Sequence, residues 1–117
     1  MSQEQTLHPV GSTILFEDDT VRVWDATVEP GETLPIHQHE LDYVTVALTR
    51  GDVEVHEADG TVRRGHRLPG DVQVTRVGSG QRHVLKNIGT ATYRNRIIEL
   101  KSPPGPGGEP VNINLSR

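Results

Sequence analysis

Short runs of alternating apolar and polar residues, bounded by glycine, proline or aspartate, fill most of this chain. Residues 53–57, for example, read Val-Glu-Val-His-Glu and are followed by an Asp59-Gly60 turn signal. Such alternation among β-branched residues indicates β-strands. The runs predict strands at 20–28, 34–39, 43–49, 53–57, 62–66, 71–77, 82–88 and 91–101. Because no window of helical length carries a 3.6-residue apolar repeat, the pattern predicts an all-β sandwich or barrel.

The composition indicates a single domain and excludes several kinds of site and partner. The 117 residues are enough for one domain, and 12 glycines and 8 prolines fit a fold with many turns. The absence of cysteine excludes disulfides and thiolate metal sites, so any metal ligands must be nitrogen or oxygen atoms. A net charge of -4 argues against nucleic acid and anionic membranes as partners. With no long apolar stretch and a polar start, the sequence predicts a soluble cytoplasmic protein.

The C-terminal end differs in composition from the rest. Residues 102–110 are rich in proline and glycine and are predicted to be a linker, whereas Val111, Ile113 and Leu115 alternate with polar residues like a short strand. We therefore expect a β-barrel domain at 1–101 and a linker with a terminal strand at 102–117. That strand either folds back or pairs with a neighbouring subunit, and the second alternative favours a homodimer.

The pair His37-Gln-His39 is the strongest candidate for chemistry. Alternate residues of a strand share a face and lie about 6.7 Å apart along the chain, so both imidazoles can converge on one ion. A third histidine, His83, lies in a later predicted strand, and Asn87 follows on the same face. Antiparallel strands can place one histidine opposite a pair, which makes a metal site the first hypothesis.

The order and spacing of these residues resemble a known family. Gly31-x5-His37-x-His39 with Gly51 downstream, followed by Gly80-x2-His83-x3-Asn87, resembles the two signature motifs of the cupin superfamily, and the likeness extends from about residue 21 to 100. It is most similar to small single-domain bacterial cupins, including those associated with β-alanine degradation. The resemblance implies a double-stranded β-helix barrel, jelly-roll-like in form, that holds a divalent Fe, Mn, Ni or Zn ion through His37, His39 and His83.

One position departs from the cupin pattern. Cupins usually carry a glutamate ligand separated from the second histidine by three or four residues, and Tyr43 and Val44 stand there. With strict alternation from His39, Tyr43 faces inward and Asp42 does not, unless a bulge lies between His39 and Asp42. We therefore expect a three-histidine site, with Tyr43 as the candidate catalytic residue that donates a hydrogen bond or relays a proton.

The remaining polar residues have less specific interpretations. Asn87 serves either the surroundings of the metal or the backbone near a turn, and the structural role is favoured. Arginines on exposed strand faces are common, but some could face a carboxylate substrate. We expect surface positions for His8, His56 and His66, loop charges at Glu40 and Asp42, turn roles for Gly31, Gly51, Gly70 and Gly89, and candidate substrate contacts at Arg82, Arg94 and Arg96.

Two classes of function fit these residues best. The first is a metalloenzyme of dioxygenase, isomerase or lyase type, hence in one form an oxidoreductase, that acts on a small polar or carboxylate-bearing molecule. The second is a non-catalytic module that binds a small ligand and whose metal is structural or adventitious, since the sequence shows no evident general-base carboxylate. A weaker third alternative is a protein-interaction role carried by the C-terminal tail.

Overall fold

The structure is a computed structural model that describes residues 9–78 and 80–101. These residues form β-strands joined by turns and loops, and the all-β prediction is confirmed. Every strand pairing among them is antiparallel. The strands are β1 (Thr13–Glu17), β2 (Val21–Val28), β3 (Thr33–His39), β4 (Tyr43–Ala47), β5 (Gly51–Glu57), β6 (Val62–Arg67), β7 (Val72–Thr75), β8 (Gln81–Asn87) and β9 (Tyr93–Leu100).

Two sheets face each other around a common interior. One has the strand order β1-β2-β9-β4-β7 and the other the order β3-β8-β5-β6. Alternate residues of β5 and β9 are buried, which is the period-2 pattern of strands with one face on a core. Apolar residues of the first sheet form a cluster around Trp24 and Ile97, and Val53 packs with Tyr93 in a second cluster.

All eight predicted strands are present, with ends that move by at most two residues. The strand β1 was not predicted, because its five residues are all exposed and show no apolar alternation. The predicted linker and terminal strand at 102–117, on which the expectation of a homodimer depended, lie outside the described residues, as does His8. The part of the chain that the structure describes contains no helix long and apolar enough to cross a membrane.

The glycines of the cupin-like motifs do not all serve as turn residues. Gly31 and Gly70 have φ angles of 79° and 89°, which other residues adopt only with strain, so their predicted turn role is confirmed. Gly51 instead begins β5, and a Cβ there would lie 2.3 Å from Cδ1 of Tyr93. The prediction of a turn at Gly51 is therefore wrong, because glycine at this position makes room for a buried ring.

Asn87 has a structural role at the end of β8. Its side chain is fully buried, and its Nδ2 donates to the carbonyls of Val28 at 2.8 Å and Ala91 at 2.9 Å. Its Oδ1 accepts from the backbone N–H of Gly89 at 2.9 Å. One amide thus joins the end of β2 to the β8–β9 turn and satisfies three backbone groups, as the favoured interpretation of the sequence expected.

Candidate metal centre

The three predicted histidines meet on the inner face of the β3–β8 pair. His37 lies directly opposite His83 in the register of the two strands, and His39 follows on the same face of β3. The register shifts between Leu34 and His37, which marks a bulge. Because an extra residue in one strand reverses which face the following side chains occupy, this bulge allows Leu34 to pack on the core and both histidines to face inward.

The three imidazoles are close enough to share one ion. Their ligand nitrogens lie within 4.8 Å of one another, and each residue is at most 7% exposed. The Nε2 atoms of His39 and His83 are 3.0 Å apart. Two nitrogens that bind one ion at right angles, each about 2.1 Å from it, are separated by roughly this distance. The geometry therefore fits a metal centre.

The protonation and hydrogen bonds of the histidines also fit metal ligation. Burial lowers the pKa of His37 to about 4, and burial together with the neighbouring imidazoles lowers the pKa of His39 to about 3. Burial lowers the pKa of His83 as well, so all three rings are neutral near pH 7 and each has a nitrogen lone pair to offer. Nδ1 of His37 contacts the carbonyl of Pro35 at 2.8 Å, which directs its Nε2 toward the other two rings.

Tyr43, not Asp42, faces the histidines. The ring of Tyr43 stacks on that of His39 with centroids 4.0 Å apart, and its hydroxyl donates to Oε1 of Gln81 at 3.1 Å. Burial raises the pKa of Tyr43, so the hydroxyl keeps its proton at neutral pH. The carboxylate of Asp42 points away and accepts from the backbone N–H of Val77 at 3.0 Å. The position of the usual cupin carboxylate ligand is therefore filled by a neutral phenol.

Glu57 is a carboxylate of the site that the sequence analysis did not identify. It lies opposite His83 in the β5–β8 register, with its Oε1 3.5 Å from Nδ1 of His83, and it accepts a hydrogen bond of 2.7 Å from Arg63. The signal was present, since Glu57 continues the alternation of Val53 and Val55. A carboxylate on an otherwise apolar strand face is unusual, which makes Glu57 a candidate functional residue.

The histidines line one end of a cavity of about 530 Å³ between the two sheets. Of the arginines proposed from sequence as substrate contacts, Arg94 and Arg96 bind Asp25, and the exposed Arg82 donates to Gln38. Arg94 and Arg96 are therefore engaged elsewhere. The cavity is lined by Arg82 of β8 and by Arg63 and Arg67 of β6. The predicted surface positions are confirmed for the two described histidines, since the side chains of His56 and His66 are 44% and 57% exposed.

Comparison with curated proteins identifies a relative with a long additional region. The chain is 34% identical over 91 residues to a Pirin-like protein of Caulobacter vibrioides. The match covers 77% of this chain but 38% of the relative, so the chain spans well under half of that protein's length. No family model matches the sequence.

Solved structures with a similar fold include cupins. A cupin domain from Bordetella pertussis superposes with a TM-score of 0.70 at 23% identity, covering 77% of this chain and 91% of the other. A double-stranded β-helix protein from Klebsiella pneumoniae gives a TM-score of 0.61 at 22% identity, covering 89% and 81%. This chain therefore has the small cupin fold that the sequence motifs predicted.

Some structural neighbours are enzymes by their descriptions. They include the lyase DddQ of Ruegeria pomeroyi, which acts on DMSP, at a TM-score of 0.54 and 20% identity, covering 71% of this chain and 39% of the other. They also include the polyketide cyclase RemF of Streptomyces resistomycificus, at a TM-score of 0.56 and 20% identity, covering 75% of this chain and 59% of the other. At these identities the likeness shows the shared fold.

Proposed function

We propose that this protein is a metal-dependent enzyme that acts on a small polar or carboxylate-bearing molecule at the three-histidine centre. The observation that carries the proposal is the convergence of His37, His39 and His83, all buried and neutral, at one end of a cavity large enough for a small molecule. Fe(II), Mn(II), Ni(II) and Zn(II) are the ions that accept three imidazole ligands and leave positions open. Two enzymes with a similar fold, the lyase DddQ and the cyclase RemF, support the same class.

The donor set fits a divalent transition metal. The three imidazoles are buried against one another, with the Nε2 atoms of His39 and His83 only 3.0 Å apart, and burying such polar groups costs free energy. Such a cluster is destabilising for folding alone, so a ligand role explains it better than a packing role. A bound ion would supply a Lewis acid and, in the case of Fe(II) or Mn(II), a redox centre.

Two residues beside the histidines have separate proposed roles, one toward the substrate and one toward a histidine. Tyr43 holds a protonated hydroxyl beside His39 and can donate a hydrogen bond to a substrate oxygen or pass on its proton. Glu57 lies beside His83 and can orient that imidazole through Nδ1. Tyr43 is therefore the proposed catalytic residue, and Glu57 is a proposed positioning residue.

Metal analysis of protein purified without a histidine tag tests the centre directly. We expect a stoichiometric transition metal in the parent protein and its loss in the His83→Ala variant. His66→Ala is the matched control, because His66 is exposed and contacts Asp52 instead of the cavity. Metal bound by His83→Ala as tightly as by the parent protein would contradict the three-histidine centre.

Turnover distinguishes an enzyme from a binding module. We would measure oxygen consumption by the Fe(II)-loaded protein with β-dicarbonyl, thiol and small carboxylate compounds, and product formation by the Zn(II)- and Mn(II)-loaded forms. Tyr43→Phe preserves the ring that stacks on His39 and removes the hydroxyl, so we expect it to retain the metal and lose most of the activity. Metal binding without turnover of any compound would favour the non-catalytic module.

A further inference from the structure

Arg67 differs from most arginines of the described chain in lacking a carboxylate partner there. Its Nη2 donates to the side-chain oxygen of Gln73 at 3.1 Å. Arg63, the other arginine of the β6 inner face, is neutralised by its contact with Glu57. The arginines that do have carboxylate partners are Arg22, Arg63, Arg64, Arg76, Arg94 and Arg96. A half-buried guanidinium with only a neutral partner has unused capacity to bind an anion.

The backbone makes room for this guanidinium inside the barrel. Gly65 lies opposite the buried Val53, so this face of β6 points to the interior, and Arg67 is two residues further along the same face. A Cβ at Gly65 would lie only 2.6 Å from Nη1 of Arg67. The side chain of Arg67 therefore folds back over Gly65 toward the middle of the cavity, where any larger residue would displace it.

A second unsatisfied polar group lies in the same cavity. Asn95 is 5% exposed and lines the cavity, and its Oδ1 has no hydrogen-bond partner among the described residues. Its Nδ2 makes only a long contact of 3.4 Å with the hydroxyl of Tyr93. A buried acceptor without a donor is costly unless a ligand or water supplies one. Arg67 and Asn95 thus offer a charged donor and a neutral acceptor to a bound molecule.

Strand register separates this end of the cavity from the histidines. Gly65 lies opposite Val53, which lies opposite Asn87, four residues from His83 along β8. Four residues span about 13 Å of strand. The guanidinium and the histidines are therefore placed to contact different parts of one small molecule.

We propose that Arg67 is the recognition residue for the substrate's anionic group and that this group is a carboxylate. The inference deepens the proposed function and rests on it for the identity of the bound molecule as substrate. At the end of the cavity away from the histidines, Arg67 is a single guanidinium beside a neutral glutamine, which suits a monoanionic group, whereas a phosphate dianion is usually held by several cationic or N–H donors. Gly65 positions Arg67 by leaving its side chain room.

Nuclear magnetic resonance of ¹⁵N-labelled protein tests the proposal with glutarate as the probe. We would titrate glutarate into the full chain in the presence of a chelator and again with Zn(II), following the Arg Nε–H signals and the backbone amides of β6 and β9. We expect glutarate to shift the Arg67 signal in both forms, and its uncharged analogue glutaramide to leave that signal unchanged.

Variants then assign the effect to one side chain. Arg67→Gln should weaken glutarate binding by roughly tenfold to a hundredfold, the loss expected for a charge-assisted hydrogen-bonded pair. Arg64→Gln is the matched control, because Arg64 is on the same strand but faces outward to Glu54, and it should bind glutarate like the parent protein. Gly65→Ala should fold normally and weaken binding through displacement of Arg67.

The possible failures are distinct. Unchanged glutarate affinity in Arg67→Gln, or no shift at Arg67 in either form, overturns the proposal. Inorganic phosphate that binds at least about tenfold more tightly than glutarate overturns the assignment to a carboxylate. Glutarate binding at Arg67 in a protein that binds no metal would overturn the proposed function and leave the anion site standing.

Discussion

Asn87→Ala should destabilise the fold strongly without removing the metal ligands. The substitution deletes three hydrogen bonds of 2.8–2.9 Å to the backbone of Val28, Ala91 and Gly89, in a side chain that is fully buried. At about 1 kcal/mol for each bond, the free energy of unfolding should fall by about 3 kcal/mol. In a domain of this size that lowers the midpoint of thermal unfolding by roughly 12–24 °C.

Urea unfolding measures this loss of stability when it is followed by the fluorescence of Trp24, the only tryptophan. Asn95→Ala is the matched control, since that buried amide makes one long contact of 3.4 Å and its removal should cost less than about 1 kcal/mol. Zn(II) stoichiometry in the cold should be unchanged in Asn87→Ala. A loss of stability below about 1 kcal/mol would refute the structural assignment. A folded variant without metal would show that Asn87 supports the metal ligands instead.

Three further outcomes follow from the geometry. Gly51→Ala should lower the free energy of unfolding by about 1–3 kcal/mol in the same urea assay, because the new methyl group would overlap the buried ring of Tyr93; wild-type stability would contradict this packing. Asp42→Asn should leave metal stoichiometry unchanged, since that carboxylate binds the backbone of Val77; metal loss on elemental analysis would reverse this assignment. Removing the metal with a chelator should lower the thermal midpoint, and Zn(II) at about 100 times its dissociation constant should restore about 2.7 kcal/mol; an unchanged midpoint would mean that no ion binds the folded state.

The inner positions of the site could be predicted where apolar alternation fixes a strand's face. His37 and His39 share a face in any strand, and the spacing of the cupin motifs added His83. The bulge before His37 was not predicted, because the sequence analysis considered a bulge only after the histidine pair, between His39 and Asp42. Pro35 was a signal for it, since proline within a strand occurs at edges and bulges. Tyr43 was correctly expected to face inward, although β3 ends at His39 and the chain crosses to the other sheet.

Other parts of the site depend on contacts that no local pattern encodes. The sequence of β6, Val-Arg-Arg-Gly-His-Arg, has no apolar alternation, so nothing local indicates that Arg67 and Gly65 face the interior. Their orientation follows from pairing with Gly51 and Val53 of β5, which are buried on the same face. Glu57 was overlooked for a different reason, because a carboxylate at the end of an alternating run is usually the first exposed residue after the strand.

The replacement of the usual cupin carboxylate ligand by Tyr43 and the positive charge of Arg67 favour the same kind of substrate. Three neutral imidazoles leave the full charge of a divalent ion to be balanced by whatever enters the cavity. The nearby carboxylate of Glu57 is already balanced by Arg63 at 2.7 Å, and Tyr43 adds no charge. Arg67 contributes a further positive charge at the other end of the cavity. A negatively charged small molecule offsets both charges, whereas a neutral one leaves each of them uncompensated.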